Sequence, residues 1–260
     1  MRGVDASLRG LGRAPFAGRL APTLRIVVPL TVLVVLLLVL PHSGDWFHAW
    51  LPELSHPLYT RTSFAALTLT HVWLVAAATA ASVILGLGLG ILATRPSGRS
   101  LLPTVRAVAV IGQTFPPVAV LAIAVPLLGF GSAPILLALV LYGVLPVLGQ
   151  SVAGLEQVPA STLHAADGMG YGRWRRLWEV ELPLAAGPIM AGVRLSAIVS
   201  VGTATIGSAV GATTLGSPII EGLIGNNPAY VVQGALLVGA LALSVDGLLG
   251  AVERRFQRVR

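Results

Sequence analysis

Six apolar stretches, set apart by short polar segments rich in Gly and Pro, organise this chain. The first covers residues 26–40 and is apolar except for Thr31. Counted from Leu24, it approaches the roughly 20 residues that a helix needs to cross a bilayer. A signal peptide is the competing reading, but Pro41-His42-Ser43-Gly44 offers no clear small-x-small cleavage site, so a retained helix is expected. The second stretch, residues 65–94, carries Gly86, Gly88 and Gly90 near its end, and the Gly86/Gly90 pair predicts close helix packing. The third, residues 101–128, is long for one span and is interrupted at Pro116-Pro117. Residues 135–155, 188–211 and 229–252 supply the remaining three. The pattern predicts an all-α fold, a polytopic transmembrane helical bundle of about six spans.

Charge placement then orients the bundle. All seventeen basic residues are Arg, against ten acids. All of them except Arg61 and Arg194 fall in segments on one side of the apolar runs, as cytoplasmic loops require. Both termini of a multi-pass membrane protein are therefore expected in the cytoplasm. The expected division is a cytoplasmic N-terminal segment (1–25), a first transmembrane helix with an external segment (26–64), a main transmembrane domain (65–252) containing a cytoplasmic loop (156–187), and a cytoplasmic tail (253–260).

Composition agrees with the bilayer as solvent: 55% of residues are hydrophobic and 10% charged, where soluble domains carry about a quarter charged. The net charge of +7 could point to nucleic acid, but its confinement to the flanks of apolar runs argues against that partner. No cysteine is present, which removes disulfides, thiolate metal sites and thiol nucleophiles. His42, His48 and His56 lack close metal-ligand spacing, so no metal site is expected. Residues 41–64 also hold Trp46, Phe47, Trp50 and Tyr59. These fit an interfacial aromatic belt, with a substrate-contacting cluster as the alternative.

Two stretches carry the candidate chemistry. The first is residues 158–187, the longest polar interruption in the second half of the chain. It reads as helix, glycine turn, helix. Ala165 and Ala166 are small enough to admit another surface, Gly168 and Gly170 free the backbone, Arg173, Arg175 and Arg176 form a basic cluster, and Pro183 is expected to stop the second helix. Facing the cytoplasm, such a segment suits docking of a soluble partner. An ordinary amphipathic hairpin is the plainer alternative. The second stretch is Gln113-Thr114-Phe115-Pro116-Pro117, which puts polar side chains and two missing backbone donors at membrane depth. Irregular backbone survives there only under protein or beside a water-filled cavity, so it is either a pathway element or a packing kink. Gly202, Thr203 and Thr205 give a second small, hydroxyl-bearing face, open to the same two readings. Arg194 would have to snorkel or pair with an acid, and Asp246 stands in the last span.

The loop resembles that of ABC importer permeases, which read Glu-Ala-Ala, three residues, Gly, nine residues, Ile, one residue, Leu-Pro. Here His164-Ala165-Ala166, Gly170, Val180 and Leu182-Pro183 stand in that register. His164 takes the place of the usual Glu, and imidazole changes charge near physiological pH, so this position admits a pH-sensitive contact or a plain surface histidine. Over residues 65–225 the chain is similar to the branch that imports the osmoprotectants glycine betaine, choline, carnitine or proline betaine. His71, Gly90 to Arg95, Gln113 to Pro117, Gly168-Met169-Gly170, Arg173-Trp174, Glu181 to Leu184 and Gly202 to Thr205 carry that likeness. Pro117, where Ser is common, and Ala212-Thr213-Thr214, where a glycine-rich turn is usual, depart from it.

The resemblance implies a type I importer permease of the bacterial plasma (inner) membrane. Its coupling residues would be His164, Ala165, Ala166, Asp167, Gly168, Gly170, Arg173, Arg175, Arg176 and Pro183. Its pathway would involve Gln113, Thr114, Pro116, Pro117, Gly202, Thr203 and Thr205. It also implies cytoplasmic ABC ATPase subunits, an extracytoplasmic substrate-binding protein and a second permease subunit, identical or paralogous. ATP and Mg would be used by the partner ATPase and no cofactor bound by this chain, which has no Lys for a phosphate loop. A permease for methionine or another amino acid is the nearest alternative. An ion-coupled secondary transporter or channel would usually place carboxylates at the midplane, and an intramembrane enzyme would need a clustered acid, base or nucleophile that the sequence does not display.

Overall fold

The computed structural model describes residues 23–257, except for the side chains of Ala109, Gln113 and Gln257 and the surroundings of Gly112. The arginines expected to orient the N-terminal segment and tail (Arg2, Arg9, Arg13, Arg19, Arg258 and Arg260) lie outside the described residues. Helices account for the architecture, and no strand occurs among the described residues. α1 (Leu24–Val39) runs into a short 3-10 turn and is followed by α2 (Gly44–Trp50). α3 (Phe64–Thr94), α4 (Leu102–Thr114), α5 (Pro117–Leu128) and α6 (Ser132–Glu156) come next. α7 (Ala160–Gly168) and α8 (Arg173–Arg176) lead into α9 (Leu182–Ala204), and α10 (Gly216–Ile224) and α11 (Pro228–Gln257) complete the bundle.

Among the described residues, five helical runs are long and apolar enough to span a membrane: Leu24–His42, Phe64–Thr94, Ser132–Glu156, Arg173–Val210 and Pro228–Phe256. The third expected span, residues 101–128, is instead two helices of 13 and 12 residues. At 1.5 Å per residue, each is about 20 Å long, short of a hydrocarbon core of about 30 Å. The cause is local. Phe115 and Pro116 are extended (ψ 131° and 138°), and Pro117 begins α5 where its missing N–H is not needed. The Tyr142 hydroxyl on α6 donates to the freed Phe115 carbonyl.

The core lies along α3, α6, α9 and α11. Its buried positions are small or polar as often as they are large: Ala78, Ser82, Ala138, Ser151, Ala185, Ser196, Ala197 and Ser200. Large apolar side chains such as Trp73, Ile84, Ile123 and Leu127 face outward. That inversion is expected where lipid replaces water outside and close backbone packing supplies the attraction within. The Gly86/Gly90 expectation holds physically: a Cβ at Gly86 would come within 2.8 Å of the Val144 carbonyl, and one at Gly90 within 2.8 Å of Ser151 Cβ. α3 and α6 thus approach at a distance that no larger residue permits.

Residues 212–228 read as turn-rich in the sequence, yet they contain α10, with Gly216, Ser217, Pro218 and Gly222 buried. Gly216 lies against the Thr205 backbone, and Pro218 and Gly222 pack against α11, so Gly and Pro here serve close packing. The aromatic segment divides. Trp46 and Trp50 point outward as a belt would, whereas Phe47 and Tyr59 are core residues, 0% and 4% exposed. The Tyr59 backbone N–H donates to Gln233 Oε1 (3.1 Å), and Gln233 Nε2 donates to the Pro57 carbonyl (2.7 Å). Tyr59 also donates to Glu221 (3.1 Å), and burial, then that carboxylate, pushes its phenol up to about 12.

Candidate functional site

The docking stretch folds as expected in outline and differently in detail. α7 ends in a Schellman closure: the Gly170 N–H donates to the Asp167 carbonyl and the Tyr171 N–H to the Ala166 carbonyl, both at 3.0 Å. Gly170 is left-handed (φ 79°), a conformation that L side chains resist. Gly168 sits within the helix, and a Cβ there would meet nothing within 4 Å. One glycine, not two, therefore makes the turn.

Pro183 does not stop a helix. α8, a π turn over Leu177–Glu181 and α9 form one continuous run, with Pro183 in the first turn of α9. Two facts reconcile this with proline chemistry. The first turn of a helix has no intrahelical use for its N–H groups, and a π turn lets the backbone absorb an extra residue. The 38-residue run from Arg173 to Val210 is about 57 Å long, nearly twice a hydrocarbon core. Its first turns therefore stand clear of the bilayer.

A charge network fixes the loop against the bundle. Glu181, 5% exposed, receives Arg95 Nη1 from the end of α3 (3.1 Å) and Arg176 Nε (3.1 Å). Arg176 Nη1 continues to both oxygens of Asp167 on α7 (2.7 Å). Burial raises the Glu181 carboxyl pKa, but the hydrogen bonds and charges of Arg95 and Arg176 more than reverse it, holding the group below the ordinary carboxylate value. Arg175 pairs with Glu179 (3.0 Å) and lies over the Tyr171 ring, 4.3 Å from its centre.

Of the sequence-derived docking residues, His164, Ala165, Asp167, Gly168, Gly170, Arg173, Arg175 and Pro183 are exposed and Arg176 is half-buried. Ala166 is not at the surface: it is 1% exposed. Small size at this position serves the packing of α7 onto its own chain, and a large side chain there would displace the loop itself. Sequence reasoning named Arg176 as a docking residue and quoted Arg95, Glu181, Met169 and Trp174 only within the family likeness; it missed the pairing Arg95–Glu181–Arg176 and gave no role to the most exposed apolar groups of the loop, Met169 (69%), Trp174 (74%) and Trp178 (65%). Large apolar groups on a charged loop were the available signal.

The expected pathway residues fall at two backbone breaks. Thr114 Oγ1 donates back to the Ile111 carbonyl (2.7 Å), Pro116 and Pro117 form the α4–α5 break, and the Gln113 side chain lies outside the described residues. Gly202 is exposed, and Thr205 Oγ1 donates to its carbonyl (2.7 Å). Thr203 is half-buried one residue before α9 gives way to the 3-10 turn Thr205–Val210. The Gly131 N–H donates to the Val210 carbonyl (2.8 Å), joining the α5–α6 turn to this second break. Among the described residues no side-chain hydrogen bond joins 113–117 to 202–205.

Behind the second break lies a knot of neutral groups. Buried His71 on α3 has Nε2 3.1 Å from the Val201 carbonyl, while its Nδ1 accepts the Leu215 N–H (3.3 Å). Nδ1 as acceptor makes Nε2 the protonated nitrogen. Thr214 Oγ1 donates to the Ala204 carbonyl (3.2 Å), and Ser208 lies within 2.8 Å of Thr214 and 3.1 Å of Ser217. A lone His in an apolar run gives no sequence sign of such a role.

Known proteins place this geometry. The family model described as "Binding-protein-dependent transport system inner membrane component" matches residues 82–258. The osmoprotectant import permease protein OsmY of Salmonella typhimurium is 34% identical over 233 residues, 90% of this chain and 96% of that one. The glycine betaine/carnitine/choline transport system permease protein OpuCB of Bacillus subtilis is 37% identical over 190 residues, covering 71% and 84% of the two chains. Among solved structures, an inward-facing form of the MetNI methionine ABC transporter superposes with a TM-score of 0.65 at 21% identity, covering 72% of this chain and 93% of that one. That likeness concerns the fold, which is that of a type I importer permease. The chain belongs to the family of binding-protein-dependent transport system inner membrane components.

Proposed function

We propose that this chain is the translocating subunit of an ATP-driven importer for a small quaternary-ammonium osmoprotectant of the glycine betaine, choline or carnitine type. The observation that carries the substrate class is the near end-to-end match to permeases named for such solutes, 90% of this chain against 96% of OsmY. The chemistry is compatible. A quaternary ammonium has no N–H to donate, so a path lined by neutral dipoles such as Thr203 and Thr205 can pass it without a matched carboxylate. Tight aromatic recognition is left to an external binding protein.

In this reading two permease chains form the path, and each presents α7 and the turn after it to a cytoplasmic ATPase that uses ATP and Mg. Exposed His164, Met169 and Trp174 offer the contact, and the Arg95–Glu181–Arg176 strut makes the loop move with α3 and α9. Rigid-body motion of these helices would then convert ATPase closure into alternating access. The end bearing α7 and the Arg cluster faces the cytoplasm, as do both termini.

The test is uptake of radiolabelled solutes by cells lacking their own osmoprotectant importers, with this permease and its cognate partners restored. Uptake of a betaine, choline or carnitine that ceases without the ATPase subunit is the expected result. Uptake of methionine but none of these would overturn the substrate class, and ATPase-independent uptake would overturn the importer reading.

A further inference from the structure

A second charged site lies apart from the loop, where α1 begins and α11 ends. Arg194 on α9 makes a bidentate pair with Asp246 (2.8 and 2.9 Å) and a third bond to Glu253 (3.0 Å), both on α11. Beside this triad is a cavity of about 420 Å³ lined by Arg25, Arg194, Arg254 and Asp246 and walled by Leu24, Val28 and Leu243. It is built by close approach. A Cβ at Gly247 would strike the Arg25 carbonyl, and one at Gly250 would lie 3.1 Å from the Arg194 guanidinium carbon.

The charges do not balance within it. Arg194 occupies the carboxylate of Asp246 on both oxygens. Arg254 is half-buried, and its Nη2 is fully shielded with no hydrogen-bond partner among the described residues. A buried guanidinium nitrogen without an acceptor is costly, and such groups are normally satisfied. Arg25 is exposed at the same rim. The walls are unsuited to a soluble anion: Leu24, Val28 and Leu243 are 44%, 49% and 61% exposed, on helices whose outer faces are apolar. A ligand matching both halves needs a phosphate for the guanidinium forks and hydrocarbon for the leucine and valine faces.

We infer that the cleft between the start of α1 and the end of α11 binds one anionic phospholipid, its phosphodiester held by Arg25 and Arg254 and an acyl chain lying against Leu24, Val28 and Leu243. Basic pockets at helix ends are suited to this recognition. The site uses no residue of the coupling loop or of either backbone break, so it stands or falls independently of the transport substrate.

Native mass spectrometry of the full-length chain in mild detergent tests it, with phosphatidylglycerol, phosphatidylcholine and inorganic phosphate as probes. One phosphatidylglycerol should be retained per chain in preference to phosphatidylcholine, and millimolar phosphate should not displace it. Arg25→Gln and Arg254→Gln should each weaken retention about fivefold, with elution and melting temperature unchanged. Equal retention of the two lipids by the wild-type chain would overturn the inference without recourse to any variant. Displacement by phosphate would mark a soluble-anion pocket instead, and undiminished retention by the double variant would remove these arginines from any role.

Discussion

At the end bearing the α7–α8 loop, Arg95, Arg176, Asp167 and Glu181 tie α3, α7 and the start of α9 together through formal charges. Where α9 breaks, His71, Ser208, Thr214 and Ser217 tie α3, the 3-10 turn and α10 together with neutral groups alone. Position decides the chemistry. The loop network sits at the charged end of the helical run, so its outer members are hydrated and its one buried carboxylate has two guanidiniums. The knot lies within the apolar bundle, where an isolated charge would be expensive and a fully paired neutral group is not. Charges suit a loop that stands in water and is held to the bundle from outside. A satisfied neutral knot suits an irregular backbone that must be held at depth.

The largest effect should come from the centre of the charged network. Glu181→Ala leaves Arg95 and Arg176 facing each other without their shared carboxylate, and losing one partner of a buried pair costs about 3–5 kcal/mol. Thermal melting of the detergent-solubilised chain should show it. The pH dependence follows from the sign of the shift. The folded pKa of Glu181 is depressed, so its stabilisation is present above the ordinary carboxyl value and is lost as pH falls through the depressed one. The gap between wild type and Glu181→Gln should therefore persist at neutral pH and close only in acid. A gap that closed near neutrality would remove the charge argument.

The neutral knot should respond less. His71→Ala strands the Val201 carbonyl and the Leu215 N–H in the interior, at roughly 1–3 kcal/mol for the unsatisfied groups. Melting is again the measurement, joined by proteolysis between α9 and α10, which should accelerate. If His71→Ala proved costlier than Glu181→Ala, the contrast between the two regions would have to be reversed.

How legible these regions were follows from their physics. The spans were readable because burial in lipid writes a long apolar signal, and the α4–α5 break because proline removes donors wherever it stands. The docking turn was readable from Gly170, whose φ only glycine adopts without strain. The strut was not, because Arg95 and Glu181 are 86 residues apart and nothing local marks them as partners. Pro183 misled because its effect depends on its place within a helix, and the π turn that sets this place has no pattern of its own. Ala166 misled for a related reason: a small residue signals close packing but not whether the neighbour is another protein or the same chain.

Within the docking turn, the two glycines separate conformation from composition. Gly170→Ala should cost about 1–2 kcal/mol, the penalty of a left-handed L residue, and should lower ATP-coupled uptake by loosening the turn. Gly168→Ala has open space and helical backbone, so it should be neutral or stabilising by up to about 1 kcal/mol. Uptake assays beside melting curves would distinguish them. Equal effects from both would discard the Schellman closure as the element that sets the loop.

The smallest effect belongs to the rim of the network, and it is the most discriminating. Asp167 accepts from the same Arg176 that serves Glu181, at 2.7 Å, shorter than the Arg176–Glu181 contact of 3.1 Å. Distance alone would rank it first. Exposure ranks it last: the Asp167 side chain is 49% exposed against 7% for Glu181, so water and salt screen it, and exposed pairs are worth about 0–1 kcal/mol. Asp167→Asn should therefore shift melting by less than a third as much as Glu181→Ala, and the shift should vanish near 1 M salt, whereas that of Glu181→Ala should not. Were Asp167→Asn to match Glu181→Ala, or to keep its effect in high salt, the network would be uniformly buried in the working protein. The division between a hydrated rim and a shielded centre would then fail.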